Sequence, residues 1–470
     1  MARTSRLRVS NAGAAPFPNP ALSCMPPNTT SSFATPARVG ATTVRDLFAA
    51  SLIAADPTSF TARAVRLRLA ADRKVSQPSW ILALGKAATT MARAAVHEMQ
   101  GHGTPIVGGL IVAQAVGDVP HSALVGIAGD HPHPGKGSAL ASAALSDLCA
   151  RVHSGDTVFV LLSGGASSLI GAPAEGVDAR HLAALSRTLL QSGLDIGRVN
   201  AIRKRFLRWG AGRLAAQLAP ARVELIVLSD VIGDDLAYIA SGPCVPDAST
   251  ALEIRRLIDE SALGDRIPAP LLRYLDEVMR GERAETPKSD APAFKFAGVP
   301  AVQGNAGVLE AGALRARVLG FEPVVALSEP LLGEAAVAGA RVAAAALAMP
   351  RGRVAFWGGE TTVTLGDNFG AGGRCQELAL AAAIALSEAG ADAAGITILA
   401  AGTDGCDGPT DAAGAIVDAH TVVRMVESGV DPRDALRRHD SYEALHLAGA
   451  LLKTGLTGTN VADIVIAVRL

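Results

Sequence analysis

Six short segments place acids, bases and hydroxyls beside glycines, most of them directly after apolar runs. Leu84 leads into Gly85-Lys86, Leu162 into Ser163-Gly164-Gly165-Ala166-Ser167-Ser168, and Leu228 into Ser229-Asp230-Val231-Ile232-Gly233-Asp234-Asp235. Trp357 leads into Gly358-Gly359-Glu360, and Ala401 into Gly402-Thr403-Asp404-Gly405-Cys406-Asp407-Gly408. Gly372-Gly373-Arg374-Cys375-Gln376-Glu377 opens an Ala- and Leu-rich stretch. Small residues let main-chain N–H groups wrap an anion, so Ser163, Gly164, Gly165 and Ser167 form a candidate phosphate cradle; the plainer reading is a tight turn that needs glycine. The pattern is neither GxxxxGK[ST] nor GxGxxG. Lys86, at a helix start, adds charge to the positive end of the helix and calls for an anionic ligand. Asp230 with Asp234 and Asp235 offers hard oxygens for Mg²⁺, one of the three serving as a turn or helix cap. Arg374, delivered by glycines, suits a carboxylate or phosphate. Asp404 is placed to take a proton from a hydroxyl, while Asp407 and Asp411 read as turn formers.

Other candidates are weaker. His131 and His133, alternating with Pro132 and Pro134, lack a third metal ligand and read as a rigid connection. Cys375 and Cys406 have no evident histidine base, so a thiol nucleophile is not expected.

Strand–helix alternation supplies the positions. Ser79–Gly85, Leu110–Val116, Thr157–Ser163 and Val223–Ser229 read as strands, and Asp46–Ala70, Lys86–Met99 and Gly137–Arg151 as helices. After a charged, Pro-containing linker at Gly281–Pro292, strands at Pro323–Leu327, Arg353–Trp357 and Gly395–Ala400 alternate with helices at Gly333–Leu347 and Arg374–Gly390. Apolar strands alternating with helices mean βαβ units, and ligands then gather at strand carboxyl ends. The expected fold is two α/β domains with mainly parallel sheets and the active site in the interdomain cleft. The expected boundaries are a disordered extension at 1–40, an N-terminal Rossmann-like domain at 41–290 and a C-terminal domain at 291–470. The extension holds arginines, prolines and hydroxyl residues but no acid. Prolines spoil an amphipathic transit helix there, and a dispensable or mis-assigned start is the preferred reading.

Composition sets outer limits. The 470 residues are 49% hydrophobic and 19% charged, which excludes a wholly disordered chain. Lys+Arg 43 against Asp+Glu 44 leaves a net charge of −1, with no basic field for nucleic acid. The uncharged stretch Thr157–Ala174 is broken by its Ser/Gly segment, so no bilayer span is expected. Five scattered cysteines without CxxC point to a reducing, cytoplasmic setting.

In their order along the chain, these segments resemble the glycerate 2-kinase family, whose carboxy-terminal part is the MOFRL domain. The carrying stretches are Ala83-Leu84-Gly85-Lys86-Ala87-Ala88, Leu161-Leu162-Ser163-Gly164-Gly165, Leu228-Ser229-Asp230-Val231 with Gly233-Asp234-Asp235, and Ile239-Ala240-Ser241-Gly242-Pro243. They continue with Gly358-Gly359-Glu360-Thr361-Thr362-Val363-Thr364, Gly372-Gly373-Arg374, Ala401-Gly402-Thr403-Asp404-Gly405, Gly408-Pro409-Thr410-Asp411-Ala412-Ala413-Gly414 and Thr457-Gly458-Thr459-Asn460-Val461. The resemblance implies ATP- and Mg²⁺-dependent phosphorylation of D-glycerate, or a similar 2-hydroxy acid, at its 2-hydroxyl. It implies Lys86, Asp230, Arg374 and Asp404 as central residues. Gly358, Gly359 and Glu360 join the candidate nucleotide contacts, and Asp230, Asp234 and Asp235 the metal contacts. No nucleic-acid or membrane partner is expected, and a homodimer stays open. The alternatives are a hydroxypyruvate reductase, which would need a dinucleotide fingerprint, and a non-catalytic sugar-acid or nucleotide sensor. Of four departures from the family pattern, Ala166, Arg205-Phe206-Leu207, Phe356-Trp357 and Cys375, several are expected near substrate, and they bear on which hydroxy acid is used and on the level of activity more than on the fold.

Overall fold

The apolar runs fold as two six-stranded sheets; the computed structural model describes residues 36–71 and 77–470. In the first sheet β1 (Ser79–Leu84), β2 (Ile106–Ala113), β3 (Leu124–Ala128), β4 (Thr157–Leu162), β5 (Arg222–Leu228) and β6 (Ala301–Gln303) lie in the order β3-β2-β1-β4-β5-β6. Every pairing is parallel. All residues of β1 and β4 are buried, as a parallel sheet covered on both faces requires. The order reverses between β1 and β4, so the loops after these two strands diverge and leave a crevice.

The second sheet joins β7 (Glu322–Leu331), β8 (Arg353–Gly359), β9 (Ile396–Gly402), β10 (Gly414–Asp418), β11 (Leu451–Leu452) and β12 (Asp463–Arg469) in the order β11-β10-β9-β12-β8-β7. The α/β class is as expected, but direction in this sheet is mixed. β7 and β8, linked by the helix Ala335–Ala348, are parallel. β12 runs antiparallel between β8 and β9, and β10 is antiparallel to β9 and β11. The Thr403–Ala413 connection from β9 to β10 contains no helix, and parallel neighbours need a longer crossover, usually helical.

One apolar core joins the sheets. Ile81, Ala83, Phe159 and Leu161 on one face of the first sheet connect, through Val44, Leu47, Met91, Leu309 and their neighbours, to Val354, Phe356, Leu399 and Ile464 of the second. The connecting helices are α1 (Pro36–Ala54), α2 (Pro57–Ala71), α3 (Ala88–Gly101) and the helix Asn305–Val318. The outer face of the first sheet packs Trp80, Leu82 and Leu84 on Leu145 and Leu214. The outer face of the second packs on Ala-rich helices at 335–348 and 374–389. Helices between Ala179 and Met279 carry a separate small core.

Three local expectations change. The helix expected over Asp46–Ala70 is two, because Pro57 lacks the N–H that would continue α1 and instead opens α2. Asp56 Oδ2 accepts from the Ser59 N–H at 2.8 Å across that break. Residues 36–40 of the expected extension begin α1; residues 1–35 lie outside the described residues. The chain also does not change sheets at residue 290: β6 still pairs with β5, and the crossing is made by the helix Asn305–Val318. Among the described residues no helix is long and apolar enough to cross a membrane.

Candidate active site

The loop after β5 lines one wall of a cleft, and the loops after β1 and β4 lie beside it, with Gly164 against Asp230. Lys86 is exposed between β1 and α3, and its main-chain N–H donates to the Gly164 carbonyl at 2.9 Å. Among the described residues its ammonium has no ion pair. Ser163 departs from the expected phosphate contact. It is 3% exposed, and its Oγ accepts from the Ala87 N–H at 3.0 Å, clipping the end of β4 to the start of α3. Ser167 Oγ pairs with Ser241 Oγ at 2.9 Å, and Ser168 Oγ donates to the Pro132 carbonyl at 2.7 Å. The loop hydroxyls are therefore spent internally. The Gly164 and Gly165 N–H groups have no acceptor among the described residues.

Glycine at 164 lets Asp230 approach: a Cβ there would stand 2.0 Å from Asp230 Oδ2. Burial pushes the Asp230 carboxyl above its ordinary range, while Lys86 and His131 pull it down. His131, which the sequence reading left as a rigid connection, lies beside this group. A Cβ at Gly165 would be 3.0 Å from its Cδ2 and 3.5 Å from Lys86 Cε. Burial, and then Lys86, lower its pKa. The His-Pro alternation marks the residue but not its neighbours: the chain after β3 brings it alongside the loop after β4.

The three aspartates do not act as one group. Asp234 takes φ of 54° and turns towards Gly304, with Oδ1 buried and unpartnered. Asp235 Oδ1 accepts from the Ala237 N–H at 2.8 Å as a turn cap. No three His, Cys, Asp or Glu side chains among the described residues gather as a metal cluster.

The second wall is wired. Arg374 Nε and Nη2 reach Asp463 Oδ2 and Oδ1 at 2.6 and 2.9 Å, and Nη1 stands 3.4 Å from Glu360 Oε1. The fork expected to face substrate is thus held by Asp463, a 6%-exposed residue that the sequence reading missed. Asp463 starts β12, where it pairs with both Gly359 and Gly402, so the antiparallel insertion sets it between the two site loops. Its motif signal was close by, in Thr457–Val461. Gly358 and Gly359 are packing positions. A Cβ at Gly358 would fall 1.4 Å from Asn305 Oδ1, and one at Gly359 2.1 Å from the Leu331 carbonyl. Asn305 Nδ2 donates to the Val461 and Asp463 carbonyls at 2.9 Å each. Glu360 is exposed to the cleft. Burial pushes its carboxyl up, Arg374 opposes this, and Asp463, Asp230 and Asp404 raise it further, so the acids of both walls feel one another. Asp404 is half-buried, and its Oδ1 accepts from the Cys406 N–H at 3.1 Å. Asp407 caps the helix Arg374–Ala389, accepting from the Cys375 and Gln376 N–H groups at 3.1 and 2.8 Å. Burial pushes its carboxyl up to about 6.

Between the walls lies a cleft of about 1040 Å³, lined by Asp230, Asn200 and Tyr238 on one side and by Glu360, Arg374, Phe369 and His439 on the other. The four departures from the family pattern do not line it. Arg205, 1% exposed, pairs with Asp247 at 3.0 Å and with Glu285, while Lys204 reaches Asp247 at 2.8 Å. Cys375, Phe356 and Ala166 are buried in core.

The sequence matches the family model described as a domain of unknown function (DUF4147) over residues 43–276 and that of the MOFRL family over residues 353–463. It is 37% identical to the glycerate 2-kinase of Pyrococcus horikoshii, covering 83% of this chain and 87% of that protein. It is 37% identical to the D-glycerate 2-kinase of Thermotoga maritima, covering 82% of this chain and 89% of that protein. The fold superposes on the crystal structure of a glycerate kinase from Thermotoga maritima with a TM-score of 0.77 at 33% identity, over 91% of this chain and 99% of the other.

Proposed function

The chain belongs to the glycerate 2-kinase family, and from that premise we propose that it transfers the γ-phosphoryl group of ATP to the 2-hydroxyl of D-glycerate, giving 2-phosphoglycerate. The observation that carries this reading is the pairing of walls: Asp230 and a fixed Arg374–Glu360 edge line one cleft, and the unpaired Lys86 and the Gly164 loop stand beside Asp230. Phosphoryl transfer asks a protein mainly for positioning and for charge stabilisation. Lys86 and the Gly164 and Gly165 amides would hold anionic oxygens, either phosphate or the glycerate carboxylate. The outer edge of Arg374 would face the phosphoryl group, with Asp463 fixing its orientation. Asp404 would orient the 2-hydroxyl and accept its proton as the O–P bond forms and the bond to ADP breaks. Asp230 and Glu360, the carboxylates that line the cleft from its two walls, would hold Mg²⁺ together with phosphate oxygens, since no three described carboxylates gather as a preformed cluster; the ion when bound would neutralise phosphate charge. Asp235 Oδ1 is occupied as a turn cap and Asp234 Oδ1 is buried against Gly304, so neither is assigned to that pair. A cytoplasmic setting and a small-molecule substrate accompany this reading.

The test is NMR identification of the product from D-glycerate and ATP with Mg²⁺. 2-Phosphoglycerate with stoichiometric ADP is expected. Folded protein that yields no phosphorylated glycerate at millimolar substrate would sink the reading.

A further inference from the structure

The apolar end of the cleft is not used by any residue assigned so far. Leu332, Leu365 and Phe369 line it, and they are 56%, 51% and 56% exposed. Across from them Ile196 is 73% exposed on the first wall. Large side chains left facing each other in a concave site are a place for a flat apolar ligand.

One polar pair sits at this end. His439 Nδ1 lies 2.8 Å from Glu377 Oε2, and the Glu377 side chain is buried. A carboxylate only accepts, so a proton on Nδ1 points to Glu377, and in the neutral form of the ring Nε2 presents a lone pair. The ring is held in place. His439 takes φ of 51°, a conformation that histidine and asparagine tolerate better than most residues. The adjoining chain is stitched to the loop bearing Phe369: the Gly370 N–H donates to the Arg438 carbonyl at 2.8 Å, the Ala371 N–H to Asp440 Oδ1 at 3.1 Å, and the Tyr442 N–H to the Ala371 carbonyl at 2.9 Å. An exposed aromatic ring and an imidazole are thereby carried on adjoining segments that are hydrogen-bonded to each other, and both line the cleft.

We propose that this Phe369–His439 corner binds the purine base of the nucleotide donor, with His439 Nε2 accepting from the exocyclic amino group of adenine. Guanine presents an oxygen acceptor at the corresponding position, which meets another acceptor and is rejected. Glu377 is a positioning residue: it sets the tautomer and does not touch the base. This inference rests on the kinase reading for the identity of the donor, but it can be read by binding alone.

The experiment compares ATP with GTP as donors for D-glycerate, and ADP with GDP in calorimetric titration. Wild type should favour adenine about tenfold or more in both, the usual cost of leaving one buried polar group unpaired. His439→Asn keeps the backbone conformation but shortens the reach; the adenine preference should fall to within about twofold. Phe369→Ala, at an exposed position, should weaken ADP and GDP alike by about tenfold. Equal use and equal binding of the two bases by wild type would overturn the proposal. So would an unchanged preference in a folded His439→Asn protein, or no ADP binding at all. Selective ADP binding without turnover would leave the base corner standing and count against the kinase reading.

Discussion

The two walls of the cleft handle charge in opposite ways. On the first wall Lys86 and Asp230 make no ion pair among the described residues, and the loop amides of Gly164 and Gly165 are free. On the second wall Arg374 is gripped by Asp463 and flanked by Glu360, and Asp407 is consumed in capping a helix. The difference follows from construction. The first wall is a set of strand-to-helix turns in a parallel sheet, whose ends are open by topology. The second is closed by β12, an antiparallel strand that drops a carboxylate between two loops. An open wall waits for ligand charge; a wired wall presents a fixed edge at little reorganisation cost.

The sharpest way to break this contrast is Lys86→Ala. Because the side chain is exposed and unpaired, kcat/KM for phosphorylation should fall about a thousandfold while the melting temperature stays within about a degree. A large drop in melting temperature would show that the first wall is wired after all. Arg374→Ala should lose both quantities. Activity should drop about a hundredfold, and stability by ~1–3 kcal/mol, since Asp463 is left buried without its partner. A double-mutant cycle with Asp463→Asn should return a coupling of about 1 kcal/mol or more; additivity would remove the pair from the argument.

Arg205→His separates a structural ion network from the cleft. Asp247 keeps Lys204, so the loss should be about 2 kcal/mol in a denaturant titration, less than for a wholly orphaned charge. KM for D-glycerate should change by less than about twofold. A large KM change would return Arg205 to the substrate contacts.

The smallest effect is on pH dependence. Asp407 titrates at about 6 in the folded chain, above its ordinary value, so its protonated form is favoured by folding. That contribution is complete below about pH 4 and is lost as pH rises through 6, for a total of roughly 2–3 kcal/mol. The stability of wild type relative to Asp407→Asn should therefore decline from pH 4 to 7. A rise over that range would contradict the burial argument.

Much of this was legible in the chain. β1, β4 and β5 are short, mostly apolar runs ending at glycine or serine, and their length and flanking residues, not their periodicity, mark them as buried strands. Lys86, Asp230, Glu360, Arg374 and Asp404 stand next to strand or helix ends and arrive at the cleft or beside it because a strand end has only one place to go. Three kinds of residue escaped. His131, in a His-Pro-His-Pro run, and Asp463, just past the Thr457–Val461 motif, reach the site from distant segments, and neither local pattern says what they meet there. Ser163, Gly358 and Gly359 looked like ligand contacts because close packing and ligand approach both select small residues. Arg205 looked like a specificity change, yet its partners Asp247 and Glu285 come from remote segments that no local spacing reveals.

The sequence by itself determined the α/β class, the polar strand ends and the family, since each depends on neighbours along the chain. Only the tertiary structure decided the direction of β12, the partner of Arg374, the internal use of the Ser163, Ser167 and Ser168 hydroxyls and the separate surroundings of Asp234 and Asp235. Those are long-range distances, and charge, burial and hydrogen-bond supply at a residue are set by whatever packs against it.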